Sequence, residues 1–211
     1  MKTINVPKII PSDDLNKIFD TLPLHAIDSC NWPADFPYVP SAGFKLFHDG
    51  KRLYIKFIVT EKDIKATVAE DQGRTWTDPC VEFFVSPDNN LDYYNFECTC
   101  TGKLLLAWHP ENKPKVAATK EVLDSVERIP SLGTEPFALR EGTQSWSVVE
   151  IIPVTALFAS DVCCFDGKEM RANFYKCGDE LPTPHFLSWN PIDWPEPSFH
   201  RPEQFGLLLF E

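Results

Sequence analysis

Trp76 lies in Arg74-Thr75-Trp76-Thr77-Asp78-Pro79, a polar segment with no apolar neighbour for the indole, and Glu82 follows six residues later. An indole so placed is either a lid over a core or an open platform for a flat, C–H-rich ring. Trp189 and Trp194 occur in Leu187-Ser188-Trp189-Asn190-Pro191-Ile192-Asp193-Trp194-Pro195. Prolines there would hold aromatic rings with little conformational entropy left to lose on binding. A pyranose suits such parts: its C–H face packs on an aromatic face, and its rim hydroxyls need directional partners. Carboxylates accept, amides do both, and Lys or Arg donate. Glu82, Asn95, Glu97, Lys103, Arg171, Asn173 and Tyr175 all fall on the polar phase of alternating segments. Taken singly, Glu82 and Arg171 read as solvated strand residues; their weight comes from grouping with Trp76. Trp108 and Trp146 are in phase with apolar positions and read as core, while Trp32 fits either role.

Catalytic patterns are missing. His109, His185 and His200 are scattered with no His-Glu-x-x-His spacing, and no Gly-x-Ser-x-Gly elbow, P-loop or Gly-x-Gly-x-x-Gly occurs. With thirty-one Asp and Glu some carboxylate pair is inevitable, so counting decides nothing, and spacing ties no two of them together. The reading is a protein that is not an enzyme; the glycoside-hydrolase alternative expects two carboxyls roughly 5–10 Å apart in a cleft. Asp88-Asn89-Asn90-Leu91-Asp92 could offer oxygens to calcium, but it lacks the EF-hand's central glycine and terminal glutamate, so it reads as an Asx-rich turn. No cofactor is expected. Seven cysteines, an odd number, without zinc-finger spacing read as thiols in a reducing compartment.

The elements that position these residues follow from periodicity. Nineteen prolines against nine glycines leave little room for long helices. One helix is legible: Ser12 can cap it, Asp13 and Asp14 suit its positive end, Leu15, Ile18, Phe19 and Leu22 mark one face, and Pro23 stops it. After an extended lead-in to residue 40 the period becomes two. Asp49-Gly50 joins two such strands as a hairpin, and nine or ten strands follow in all, with no βαβ alternation. The expected architecture is all-β: an antiparallel sandwich, jelly-roll-like, with one short N-terminal helix. Residues 1–211 form a single domain on which segment 1–40 packs. A net charge of −11 with no basic cluster excludes nucleic acid and disfavours anionic membranes. Oligomeric state is not legible. Nor is location: the chain reads as cytoplasmic, with no export signal, but a secreted or periplasmic protein whose leader had been removed would read the same.

Six segments in order, GFKLFHDGKRLYIKF from Gly43, WTDPCVEFFV from Trp76, YYNFECTCTG from Tyr93, WSVVEIIP from Trp146, RANFY from Arg171 and FHRPEQFGLLLF from Phe199, cover nearly the whole chain. Together they resemble the family 9-like carbohydrate-binding domains, related to the modules that attach to xylanases and bind the ends of sugar chains. The resemblance implies a β-sandwich whose partner is a mono- or oligosaccharide held between two tryptophans. Trp76 with Glu82 fits one tryptophan and its glutamate; Trp189 fits the second by order. Lys103 stands roughly where an arginine is expected, which loses a bidentate contact. Such modules carry a structural calcium, to which the match here is loose. The rival reading, a protein-interaction or structural sandwich that has lost its sugar, expects Trp76 and Trp189 buried or far apart, with no cleft between them.

Overall fold

The computed structural model describes every residue except 12, 13 and 89. The expected cap Ser12, first-turn Asp13 and turn residue Asn89 therefore lie outside the described residues. In chain order the first strands and helix are β1 (Thr3–Val6), α1 (Leu15–Thr21), β2 (His25–Ala26), β3 (Ser29–Cys30), β4 (Ser41–His48) and β5 (Arg52–Ala66). There follow β6 (Cys80–Ser86), β7 (Tyr93–Thr99), β8 (Leu104–His109), β9 (Val116–Ala117), α2 (Lys120–Ser125) and β10 (Glu127–Pro130). The chain closes with β11 (Phe137–Pro153), β12 (Glu169–Cys177), β13 (Phe186–Ser188) and β14 (Gly206–Phe210).

Two sheets form the sandwich. One runs β1-β14-β12-β6-β7-β8-β9, with β13 joining β12 to β3; the other runs β10-β11-β5-β4-β2. All described pairs of strands are antiparallel except β1 with β14, which run parallel at one edge. The hairpin at Asp49-Gly50 forms as its residues dictate: Gly50 takes φ +94°, and Asp49 Oδ1 accepts from the backbone N–H of Lys51 and Arg52 at 2.8 and 2.7 Å. Strict alternation then turns Leu53, Ile55, Phe57 and Val59 inward. Helix α1 covers the outer side of this hairpin, its Phe19 edge-on to Phe47 at 5.4 Å between ring centres. Asp14 caps it, accepting from Asn16 N and Lys17 N. The second helix, α2, and the shortest strands were not foreseen, because two to six residues carry no measurable period.

The interior is aromatic. Phe44 of β4 stacks on Phe174 of β12 at 3.6 Å, and Phe174 stacks on Phe83 of β6 at 5.0 Å, so the two sheets meet ring to ring. Three ionisable groups, Lys176, Glu61 and Glu150, share this interior. Lys176 points inward beside Ala172 and Phe174 and pairs with Glu61 of β5 at 2.9 Å; Trp146 Nε1 donates to the other oxygen of Glu61 at 2.7 Å. Glu150 of β11 is fully buried, and neither of its oxygens has a hydrogen-bond partner. Burial pushes its pKa up to about 8, against smaller opposing effects of Arg128 and Cys98.

Glu150 thus keeps a proton in the folded state that the unfolded chain releases near the ordinary carboxyl range. A raised folded pKa contributes stability that is complete below the unfolded value and is lost as pH rises through the folded one. Urea midpoints measured from pH 5 to pH 8 are expected to fall for the wild type more steeply than for Glu150→Gln. The difference should reach on the order of 3–5 kcal/mol at pH 8.

Candidate functional site

The segment ahead of β6 is fixed before any ligand arrives. Asp78 is buried, and its carboxylate accepts from Thr67 N, Thr67 Oγ1 and Val68 N at 2.6, 2.8 and 2.8 Å. A short 3-10 turn over Thr75–Thr77 then lifts Trp76, half-buried, over the outer face of the larger sheet. Its carbonyl accepts from Asp179 N at 2.9 Å, which ties the turn to the segment after β12. Arg74 lies 5.8 Å from the indole centre and pairs with Glu180 at 2.8 Å.

Beneath Trp76 is a cleft of about 290 Å³. Glu82 of β6 and Glu97 of β7 sit directly opposite each other at its floor, with Cys177 and Asp179 beside them. Phe186 and Phe199 form the facing wall, and Lys115 and His200 stand at the rim. Trp32 braces the wall from behind, its ring centre 6.5 and 6.3 Å from those of Phe186 and Phe199. Tyr175 supports it from below: it stacks on Phe199 at 4.2 Å, and its hydroxyl donates to Phe199 O at 3.1 Å.

The floor is electrostatically loaded. Burial, then the neighbouring Glu97, raises the Glu82 carboxyl well above its ordinary range. Glu97 is raised by burial and partly relieved by hydrogen bonds from Thr75 Oγ1 at 2.9 Å and Asn95 Nδ2 at 2.6 Å. Asp179 is pushed up to about 6 by burial. Asn95 Oδ1 meets His109 Nε2 at 3.0 Å. Because the Asn95 amide already donates to Glu97, the imidazole must be the donor in that bond. Burial first, then His200 and Lys115, holds His109 down to about 4, so it is neutral near pH 7. These groups can accept from several hydroxyls, with Lys115 as a donor, beside an apolar stacking surface.

The expected site residues part company here. Trp76 and Glu82 line one cleft. Trp189 does not join them: it is 3% exposed, edge-on to Phe44 and Phe174, and a side chain at Gly206 would strike its ring, a Cβ there falling 2.4 Å from Cζ3. It is a core residue, so the expected two-tryptophan sandwich is corrected to one indole facing phenyl rings. Asn173 is buried and its amide is committed, donating to Asn190 O and accepting from Asn190 N at 3.0 and 2.8 Å. Tyr175 is buried beneath the wall and reaches the cleft only through Phe199. Arg171 stands at the far end of β12, where it donates to Glu203 O at 2.8 Å. Lys103 lines a different surface hollow with Asp71 and Arg128. Lys115, Glu97, Asp179, Phe186 and Phe199 were missed as a group because they come from separate loops and strands. Of these, only Glu97 falls on the polar phase of an alternating segment.

In the oxygen-rich turn, Asn90 Oδ1 accepts from Asp92 N at 2.9 Å, an Asx turn. Asp88 accepts from Ser160 at 3.3 Å and Asp92 from Glu111 N at 2.6 Å. Among the described residues no three His, Cys, Asp or Glu ligand atoms converge there.

Residues 13–210 match the family model described as carbohydrate-binding family 9. A crystal structure from Bacteroides uniformis, of a protein assigned provisionally as carbohydrate-binding, is 43% identical. It superimposes with a TM-score of 0.96 over 100% of this chain and 99% of that one. A family 9 carbohydrate-binding module from Caldicellulosiruptor kristjanssonii in complex with glucose is 14% identical, with a TM-score of 0.60 over 100% and 96% of the two chains. The cellotriose complex of a module from the same organism gives 14% and 0.63, covering 100% of this chain and 94% of that one. At that identity the last two show the shared fold. No curated protein matches the chain.

The different settings of the two tryptophans give a direct contrast. Trp189→Ala is expected to lower the unfolding free energy by about 3–5 kcal/mol, the cost of a large cavity in a packed core. Trp76→Ala should cost less than about 1 kcal/mol. Guanidinium unfolding of both variants measures this, and equal losses would place Trp76 in the core as well.

Proposed function

The chain belongs to carbohydrate-binding family 9, and from that premise we propose that it holds a glucose-type sugar ring in the Trp76 cleft without transforming it. The observation that carries this reading is Trp76 presented over Glu82, with Phe186 and Phe199 opposite, in a cleft sized for one or two rings. A sugar's C–H face would lie on the indole and its other edge against the phenyl wall, which desolvates apolar surface on both sides. Hydroxyls would donate to Glu82, Glu97 and Asp179, and Lys115 would donate to a ring or hydroxyl oxygen. Glucose and cellotriose, the ligands named for the Caldicellulosiruptor modules, are the sugars to try first.

One indole grips a ring less firmly than two, and Lys115 is a mobile point donor rather than a rigid fork. Affinity in the micromolar to millimolar range follows. A family premise and a bed of carboxyls already bound to Thr75, Asn95 and Cys177 favour binding over hydrolysis.

Titration calorimetry with glucose, cellobiose and cellotriose tests the reading. Saturable heat is expected with at least one sugar, weakened tenfold or more in Trp76→Ala and in Glu82→Gln, while Arg171→Ala and Lys103→Ala bind as wild type. Because an ionised carboxylate accepts hydroxyl hydrogen bonds more strongly than a neutral one, affinity should rise from pH 5 to pH 7 as Asp179 ionises near 6. No heat with any sugar, or unchanged binding by Trp76→Ala, would reject the proposal; release of glucose from cellotriose would replace it with a hydrolase.

A further inference from the structure

Cys80, Glu82 and Cys177 bring two thiol sulfurs and a carboxylate oxygen within 4.8 Å of one another, all from buried residues. The register makes this unavoidable. Cys80 and Cys177 are directly opposed on β6 and β12, and Glu82, two residues along β6, faces the same way. Cys177 Sγ already donates to Glu82 Oε1 at 3.2 Å. Asp179 lies two residues past Cys177 at the same floor, and its Oδ1 is buried with no hydrogen-bond partner.

Two sulfurs with one or two carboxylate oxygens is a donor set that zinc takes, with bonds of about 2.3 Å to sulfur and 2.0–2.2 Å to oxygen in a tetrahedron. Those lengths place neighbouring S and O ligands about 3.6 Å apart. The Cys177–Glu82 contact at 3.2 Å needs little adjustment to reach that spacing. A divalent cation would favour the thiolate and carboxylate forms of these groups. Access exists, because Cys177, Glu82 and Asp179 line the open cleft while Cys80 lies behind them.

We propose that Cys80, Cys177 and Glu82 form a thiolate–carboxylate site for a zinc-class cation at the floor of the Trp76 cleft, with Asp179 as fourth donor. Binding one Zn²⁺ converts both thiols to thiolates and releases their two protons to solvent, together with any proton carried by the ligating carboxyls; no electrons move. One oxygen of Glu82 would go to the metal, which leaves the other for the cleft. The site does not depend on the sugar reading.

Full-length protein, reduced and stripped with chelator, would be titrated with Co²⁺ and then Zn²⁺. The expected result is one equivalent of Co²⁺ with a thiolate-to-cobalt charge-transfer band, bleached by one equivalent of Zn²⁺. Cys80→Ser and Cys177→Ser should lose at least a hundredfold in affinity. Glu82→Gln and Asp179→Asn, which leave both sulfurs in place should a serine variant misfold, should lose about 10–100-fold. Cys163→Ser and Cys164→Ser should match wild type. The proposal falls if no band appears, if the band survives in the Cys80→Ser/Cys177→Ser double variant with native circular dichroism, or if Glu82→Gln and Asp179→Asn bind as wild type. It falls too if thiol titration of the protein as purified finds two thiols fewer than the seven because Cys80 and Cys177 are disulfide-bonded. Glucose calorimetry on stripped and zinc-loaded protein separates the two readings: a cobalt band without sugar heat removes only the sugar, and sugar heat without a band removes only the metal.

Discussion

Lys176 and Glu61 form an ion pair at 2.9 Å with both side chains fully buried, one on each sheet of the sandwich. Removing two charges from water costs several kcal/mol, and the pair recovers this only through tight geometry and further hydrogen bonds. Further hydrogen bonds are present: Lys176 Nζ also donates to Cys177 O at 2.7 Å and meets His185 Nε2 at 2.8 Å, and Trp146 donates to Glu61. Burial, with Lys176 second, holds His185 down to about 3, so it serves the ammonium as a neutral acceptor. The consequence is positional. A strand's side chains alternate, so fixing Lys176 inward fixes Tyr175 and Cys177 outward, and a slip of one residue would reverse all three. The cleft floor therefore inherits its register from a pair on the other side of the sheet.

That division sorts the aromatic residues into two populations. Phe44, Phe83, Phe174 and Trp189 interlock between the sheets, where ring contacts leave no freedom for a ligand. Trp32, Tyr175, Phe186 and Phe199 sit on the outer face and hold one another as a wall, and Trp76, on its own pinned turn, packs against the same cluster. Trp194 is 41% exposed, but a guanidinium lies 3.2 Å from its ring centre, so Arg201 occupies the face a sugar would need. A preorganised cleft follows, since each wall is braced by residues that do not touch its contents.

Legibility in the sequence tracks the range of the interaction. Alternation in β5, β6 and β7 and the turn at Asp49-Gly50 are local, and they were readable together with the sandwich they imply. Trp76 beside Glu82 was readable for the same reason, both lying on one short loop-and-strand segment. Trp189 was not: what buries it is Gly206 and Phe44, remote in sequence, and its proline-rich neighbours look the same whether the ring points in or out. Lys176 defies composition outright, because a lysine on an apolar phase is acceptable only where a partner strand supplies Glu61. The thiols of Cys80 and Cys177 adjoin only through strand pairing, so no spacing rule could have brought them together.

The concentration of acid at the cleft floor still needs a physical reason. Glu82 and Glu97 are cross-strand neighbours with little solvent around them, an arrangement that opposes ionisation of both. Folding alone gains nothing from it, since an apolar pair there would pack at no electrostatic cost. The donors placed around Glu97, from Thr75 and Asn95, show one carboxyl held by the protein itself, whereas among the described residues Glu82 accepts a hydrogen bond only from the Cys177 thiol. The unmet demand of the floor is thus for hydrogen-bond donors or positive charge at Glu82 and at Asp179, whose Oδ1 is buried without a partner. Sugar hydroxyls answer the first and a bound cation the second. Both would arrive through the opening between Trp76 and Phe199, so Glu82 and Asp179 are where a ligand of the cleft would be held.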